Sequence, residues 1–338
     1  MKDDLSKYIG IIDNFSRVSV AVIGDIVADI YIHGRPFKLS REAPVIVVKY
    51  EGETIAPGSA GNTANNLSKL GAKVFPLGIV GDDKEGDFLR EYLSKDGVDI
   101  TGVFVSKERG TISKTRLLAG DTHASRRQVV RIDRETPWKM PDSMEKKILG
   151  YVDDVNKKVD VWIVSDYGYD IITPRVLERM KEIAREKTVV ADSRSRICDF
   201  AGATVITPNE AEAEVASGIR INGEDDVLKA GKKLLEKTGS EAVVITRGNR
   251  GMMLFEKTSH VENIPICGPN EVTDVTGAGD TVTGLLALGI PAGANFVQAA
   301  RLSNYAAGVV VMKNGTATVS RSELIEIITR DLKGKPSG

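Results

Sequence analysis

The feature that most constrains this chain is an alternation of short apolar runs with helix-periodic stretches, repeated along almost its whole length. Residues 18–24, 73–80, 159–165, 188–192, 204–207 and 242–246 read as strands, each too short and too apolar to be anything but buried. Stretches near 61–70, 84–95, 142–157, 174–186, 209–217, 224–237, 278–289 and 295–312 carry helical spacing. Leu5, Tyr8, Ile9, Ile12 and Phe15 predict a further amphipathic helix over residues 3–15. Strand and helix in alternation argue for a parallel sheet covered by helices on both faces. In such sheets the ligand site lies beyond the carboxyl ends of the strands.

Two stretches break the pattern. Residues 30–56 alternate apolar and polar residues, as in Val45-Ile46-Val47-Val48-Lys49-Tyr50, and residues 111–132 do the same through 111–118 and 126–132. Both read as antiparallel strand pairs inserted into the α/β frame, where they would act as a lid. There is no internal repeat, low complexity or Pro-rich linker, so residues 1–338 are expected to form one domain with these two insertions.

Composition narrows the partners. With 338 residues and 41% hydrophobic content the chain can bury a substantial core. Lys+Arg 46 against Asp+Glu 47 leaves a net charge of −1, so no global field favours nucleic acid or an anionic membrane. Small molecules are the expected ligands. Cys198 and Cys267 lack metal-ligand spacing, and three scattered histidines make no zinc site. The charged start Met1-Lys2-Asp3-Asp4-Leu5 lacks the apolar core of a signal peptide, and no apolar run is long enough to span a bilayer. A cytoplasmic location is expected.

The strongest local signal is Thr273-Asp274-Val275-Thr276-Gly277-Ala278-Gly279-Asp280, followed at once by a helical stretch. Small residues at a helix start let free N–H groups and the positive end of the helix dipole gather an anion. A carboxylate beside that hole repels phosphate, but it can take a proton from a hydroxyl attacking phosphorus. By itself Asp280 reads more readily as a first-turn acidic residue favoured by the dipole, and the motifs around it reverse that reading. The Gly-rich turn Pro57-Gly58-Ser59-Ala60-Gly61-Asn62-Thr63 also opens a helix, and Asn62 can bond a polar ligand or cap that helix. Thr207-Pro208-Asn209-Glu210-Ala211-Glu212 places Asn209 and Glu212 on one face, suited to a water-shelled magnesium ion or to a capping box. Thr246-Arg247-Gly248-Asn249-Arg250-Gly251 and Asn304-Tyr305-Ala306-Ala307-Gly308 could border a flat base or be ordinary turn and helix packing.

Absences matter too. No Gly-x-x-x-x-Gly-Lys-Ser/Thr loop occurs, the first strand ends in Gly24-Asp25-Ile26-Val27 rather than Gly-x-Gly-x-x-Gly, and the protein-kinase motif set is missing.

Taken together these motifs resemble those of the ribokinase-like, or PfkB, carbohydrate kinases, over residues 17–325 and in the family's order. The resemblance implies a three-layer α/β sandwich with a mostly parallel sheet and a small β-strand lid. It implies an ATP-dependent transfer to a sugar hydroxyl with Mg2+. Asp280 matches the catalytic base, and Gly277, Ala278 and Gly279 match the anion hole. Gly58, Gly61 and Asn62, with Gly71 and Gly81 beyond, resemble the signature around the sugar, which Asp25 and Asp29 would also orient. Asn209 and Glu212 match the magnesium motif. Thr246, Gly248, Gly251, Asn304 and Gly308 are the nucleotide candidates. The family also implies a monovalent cation, K+, near Asp274 and Thr276, and a homodimer paired through the lid.

Within the family the chain is most similar to the heptose 7-phosphate kinases of ADP-heptose synthesis, which phosphorylate C1. Gly24-Asp25-Ile26-Val27-Ala28-Asp29, Ser40-Arg41-Glu42-Ala43-Pro44-Val45, Lys114-Thr115-Arg116-Leu117-Leu118-Ala119, Arg131-Ile132-Asp133-Arg134-Glu135, Val164-Ser165-Asp166-Tyr167 and Gly315-Thr316-Ala317-Thr318-Val319 carry that likeness. Two departures stand out. Those kinases usually have Lys-Gly where this chain has Tyr169-Asp170, and Asp-Pro-Lys-Gly where it has Asp192-Ser193-Arg194-Ser195. A lysine lost near a substrate phosphate implies another sugar, or compensation by Arg194 or Arg196, since arginine binds phosphate well. Ribose, fructose or a nucleoside remain alternative acceptors, and a non-catalytic binding regulator is the alternative of another class. Many heptose kinases carry a fused nucleotidyltransferase with a His-x-x-His motif. No such motif occurs here, so that activity is expected to be absent.

Overall fold

Runs such as Val20-Ala21-Val22-Ile23 have no polar face, so they can only be hidden in a sheet covered on both sides. The computed structural model describes residues 2–95, 97–120, 127–267 and 273–334. Its elements begin with α1 (Lys2–Asn14), β1 (Ser19–Gly24), β2 (Ile26–Leu39), β3 (Ile46–Ser59), α2 (Ala60–Lys69), β4 (Lys73–Gly81), α3 (Lys84–Lys95) and β5 (Val103–Ser106). There follow β6 (Ser113–Ala119), β7 (Arg127–Arg134), α4 (Asp142–Asn156), β8 (Val161–Asp166), α5 (Pro174–Ala184), β9 (Thr188–Ser193) and β10 (Val205–Ile206). The rest are α6 (Glu210–Ser217), α7 (Glu224–Thr238), β11 (Ala242–Thr246), β12 (Met252–Glu256), β13 (Val261–Ile264), α8 (Ala278–Gly289), α9 (Phe296–Val310) and α10 (Arg321–Gly334).

Nine strands form the main sheet in the order β13-β12-β11-β10-β9-β8-β1-β4-β5. All neighbours are parallel except the antiparallel pairs β11–β12 and β12–β13 at one edge. Alternate residues of a strand face opposite sides, and β1 shows the result. Val20 and Val22 join a core made with Ile12, Leu67, Leu285, Leu302 and Leu324 of α1, α2, α8, α9 and α10. Ala21 and Ile23 join a second core with Ile148, Val176 and Leu234 of α4, α5 and α7. These are the three layers. Among the described residues no helix is long and apolar enough to cross a membrane.

The two irregular stretches become one four-stranded sheet, β3-β2-β6-β7. The β2–β3 and β6–β7 pairs are antiparallel hairpins, and a parallel β2–β6 seam joins them. β2 begins at Ile26, nearer β1 than the expected residue 30, so Asp25 alone separates the two sheets. The expected strand onset at Arg126 lies outside the described residues. Four elements had no sequence assignment. β5 is only four residues long, β12 and β13 are short antiparallel strands at one side of the sheet, and α10 lies beyond the last motif.

Candidate active site

The carboxyl ends of β1, β8 and β9 and the N-termini of α2 and α8 meet under the second sheet. Asp280 sits in the first turn of α8, 4% exposed. Asn62 Nδ2 donates to its Oδ2 at 2.8 Å, and the Tyr167 hydroxyl donates to its Oδ1 at 2.8 Å. Both oxygens are therefore aimed by a donor from a separate element. Burial pushes the Asp280 carboxyl up to about 6; the Asn62 and Tyr167 bonds resist that rise, Asp29 adds to it and Lys114 opposes it. A base with a pKa just under neutrality is ionised at physiological pH yet strong enough to accept a proton.

Gly277 caps α8 with φ of 81°. Its N–H and that of Gly279 donate to no protein group among the described residues, while Ala278 N–H bonds the Val275 carbonyl at 3.2 Å. Two amides beside Asp280 are thus left open, where three were expected. The glycine is required twice over. A Cβ at position 277 would fall 2.4 Å from Asn62 Nδ2, and L residues avoid this φ. Gly277→Ala is expected to displace Asn62 from Asp280 and lower kcat about 10- to 100-fold. An unchanged kcat in steady-state assays would separate Asn62 from the aiming of the base.

Asp25 occupies the one-residue joint between sheets and is 1% exposed. Its Oδ2 accepts from the amides of Tyr167 at 2.8 Å and Tyr169 at 3.3 Å, while Oδ1 is buried without a partner. Burial raises its carboxyl to about 6, against the pull of the Tyr167 amide. An orphaned carboxylate oxygen at the site is free for a ligand hydroxyl. Asp29 on β2 pairs with Arg116 on β6 at 2.5 Å, both nearly buried. Burial raises the Asp29 carboxyl, and the Arg116 guanidinium opposes it. A Cβ at Gly58 would lie 2.5 Å from Asp29 Oδ2, so this glycine gives the carboxylate its room. A Cβ at Gly61 would meet Pro57 Cβ at 3.1 Å and Ile26 Cγ2 at 3.4 Å. Ser59, between them, holds φ 54° and ψ −128°, a strained backbone of the kind found at ligand sites.

Asn209 and Glu212 form a full capping box at α6, with Asn209 Oδ1 accepting from Glu212 N and Glu212 Oε2 from Asn209 N, both at 2.9 Å. Each side chain keeps further lone pairs. Glu212 is pushed up by burial, and so is Asp192 on β9, which also feels the charges of Glu212, Asp280 and Asp166. Among the described residues no three His, Cys, Asp or Glu side chains are close enough to bind a metal directly. Asp274 Oδ1 accepts from Thr276 N and Oγ1 at 2.9 and 2.7 Å, and Oδ2 accepts from Gly315 N at 3.0 Å.

Three of the nucleotide candidates, Gly251, Asn304 and Gly308, border one segment, residues 264–267. A Cβ at Gly251 would meet the Ile264 carbonyl at 2.1 Å, and one at Gly308 would meet the Cys267 carbonyl at 2.1 Å. Asn304 Nδ2 donates to the Pro265 carbonyl at 2.8 Å. Thr246 N bonds the Pro208 carbonyl at 3.0 Å, which ties β11 to the start of α6, and Gly248 turns with φ 57°. Close backbone approach leaves no room for a side chain at Gly251 or Gly308. Arg196 is committed to Asp166, at 2.8 and 3.2 Å, and to the Ile172 carbonyl at 2.6 Å. Arg194, one turn back, is exposed and has no side-chain partner among the described residues.

Sequence reasoning gave no role to Tyr167, Asp192, Lys114, Arg116 or Arg109. Tyr167 links the site twice, by its amide to Asp25 and by its hydroxyl to Asp280. Arg109 donates to the Tyr169 carbonyl at 3.0 Å and lies over the Trp138 ring.

A buried carboxylate in the first turn of a helix with open amides, at the carboxyl edge of a parallel sheet, suits a phosphotransferase that acts on a hydroxyl. Residues 18–323 match the model of the pfkB family of carbohydrate kinases, and the chain belongs to that family. The bifunctional protein HldE of Geobacter sulfurreducens is 42% identical over 311 residues, 91% of this chain and 62% of the relative. That of Geobacter metallireducens gives the same figures, so the chain spans under two thirds of these relatives. Arabidopsis thaliana ribokinase complexed with ribose and ATP has a similar fold, with TM-score 0.73 and 19% identity over 92% of this chain and 98% of that one. Escherichia coli phosphofructokinase-2 in complex with potassium gives TM-score 0.71 and 14% identity over 93% and 99%. At these identities the likeness concerns the ribokinase-like fold.

Proposed function

We propose that this carbohydrate kinase transfers the γ-phosphoryl group of ATP to a hydroxyl of a phosphorylated sugar, most narrowly the C1 hydroxyl of heptose 7-phosphate. The observation that carries the reading is Asp280, buried and held by Asn62 and Tyr167 beside the open amides of Gly277 and Gly279. The likeness to heptose kinases and the HldE relatives support the narrower acceptor.

In this mechanism Asp25 and Asp29 receive sugar hydroxyls and turn one of them toward Asp280. Asp280 Oδ removes that hydroxyl's proton as its oxygen attacks phosphorus. The Gly277 and Gly279 amides and the α8 dipole stabilise the charge that develops on the transferring group. The second sheet covers the sugar and excludes water, which would otherwise compete as acceptor. Magnesium fits near Asn209 and Glu212, where Glu212 and Asp192 repel one another, and would be held through water; it supplies neutralising charge to the phosphates. A monovalent cation fits beside Asp274, since Thr316 Oγ1, next to Gly315, is buried without a partner. Thr246, Gly248 and Asn304 would border the nucleotide base. The exposed apolar side chains of the second sheet, Leu39 at 70% and Tyr50 at 65% among them, support a homodimer paired through it.

The test is ADP release across a panel of heptose 7-phosphate, ribose, fructose and an aminoimidazole riboside. Heptose 7-phosphate is expected to give the highest kcat/KM. Strong activity on an unphosphorylated pentose with none on heptose 7-phosphate would overturn the narrower acceptor, and silence on every sugar would favour a binding regulator.

A further inference from the structure

Among the described residues four basic side chains are buried, Arg109, Lys114, Arg116 and Arg247. Three have partners: the Tyr169 carbonyl, Asp29 and Glu210 respectively. Lys114 has none. It is 8% exposed, and its ammonium makes no hydrogen bond or ion pair with any described residue. Its Nζ lies 5.1 Å from the centre of the Tyr167 ring and 5.8 Å from that of Tyr169. The strand register sets Lys114 between Asp29 and Asp133, but those carboxylates are held by Arg116 and Arg131. Ring faces compensate a buried cation only in part, and a charge with no hydrogen bond is costly to bury. Burial accordingly pushes the Lys114 ammonium below its usual pKa, Asp29 opposes that, and the nearby Arg194 guanidinium adds to it. Arg194 itself is exposed and unpartnered among the described residues.

Arg194 N bonds the Asp166 carbonyl at 3.0 Å, next to Tyr167 whose ring Lys114 overlies, so the site holds two cations that no carboxylate among the described residues pairs. Position decides which anion they await. Lys114 belongs to β6 of the covering sheet, on the side that carries Asp29, whereas the transferring phosphoryl group already has the amides and dipole of α8. Alternation along β6 sends Lys114 and Arg116 to the same face, and Arg116 is spent on Asp29. Arg194 approaches from the loop after β9.

We propose that Lys114 and Arg194 form an anion seat on the acceptor side of Asp280, which takes a phosphate group the sugar already carries and so selects phosphorylated sugars over neutral ones. This rests on the phosphotransfer reading of Asp280. It also accounts for Tyr169, whose ring forms one wall of the seat.

The experiment compares kcat/KM for heptose 7-phosphate and for the unphosphorylated heptose in wild type, Lys114→Met, Lys114→Arg and Arg194→Ala. Lys114→Met keeps the apolar stem and removes a buried charge, and near-ultraviolet circular dichroism checks that it folds. Loss of a charge-assisted hydrogen bond predicts that Lys114→Met loses about 10- to 100-fold more on the phosphorylated sugar than on the neutral one. Arg194→Ala is expected to change the preference in the same direction, and Lys114→Arg to restore part of it. Equal losses on both sugars would overturn the proposal. Calorimetric binding of heptose 7-phosphate without nucleotide separates the two readings. Lys114-dependent binding in a protein that turns over no sugar would keep the seat and remove the kinase reading. Binding indifferent to Lys114 in an active enzyme would do the reverse.

Discussion

Asp280→Asn is expected to lower kcat by roughly 10²–10⁴, the usual worth of a positioned general base, while nucleotide affinity is largely kept. The shape of the site survives the change. The new carboxamide oxygen can accept from Asn62, and the Tyr167 hydroxyl can turn from donor to acceptor, so neither neighbour is stranded. The pH dependence follows from the same carboxyl. Its pKa in the folded chain is about 6, so wild-type turnover should fall as the medium is acidified through that value and the base takes up a proton. Stability should move the other way from activity. A carboxyl raised from 3.8 to about 6 contributes stability that is complete below the unfolded value and lost as pH rises through the folded one. Near neutral pH the wild type carries that whole penalty, up to about 3 kcal/mol, and the asparagine variant does not. Thermal unfolding at neutral pH should thus show Asp280→Asn melting higher than wild type. A variant with near-normal kcat would remove Asp280 from its role.

Arg116→Met is expected to cause the largest loss of stability, about 3–5 kcal/mol, because it leaves the Asp29 carboxylate buried without its counter-ion. Truncating one partner of a buried pair costs far more than the pair itself is worth. Adding Asp29→Asn to Arg116→Met should therefore recover most of the loss in urea unfolding. A double variant as unstable as Arg116→Met alone would show that Arg116 acts through packing on the Tyr31 ring, 5.4 Å away, instead. Arg116 also opposes the rise of the Asp29 carboxyl, so acid should weaken this contact in the wild type.

The parts of this molecule that were readable in advance are those where local pattern and global role coincide. β4, β8, β9 and β11 are continuous apolar runs bounded by turns, and they appear within one or two residues of their expected limits. Gly277 and Asp280 could be picked out because a helix start, small residues and a carboxylate fall within eight positions. Lys114, Tyr167 and Asp192 could not be placed the same way. They come from β6, the loop after β8 and β9, and their meeting depends on register and on a parallel seam between two hairpins that no local spacing encodes. Their neighbourhoods were visible as stretches resembling heptose kinases, without any sign of what each side chain does. Asn209 and Glu212 show the opposite limit. Sequence offered two readings, and the capping box that is formed leaves lone pairs for the other.

One residue separates β1 from β2, and β3 passes into α2 without a break, its last residue Ser59 paired with Ile26 and Ala60 N bonded to the Asp25 carbonyl at 3.1 Å. The whole hairpin thus enters and leaves the body at a single narrow neck. Any tilt of the outer ribbon must twist that neck, where Asp25 sits and the next helix begins with the residues leading to Asn62. On the proposed phosphotransfer reading, substrate capture and alignment of the proton acceptor would be one mechanical event, and stiffening the neck should couple them more tightly than any change at the ribbon's tip.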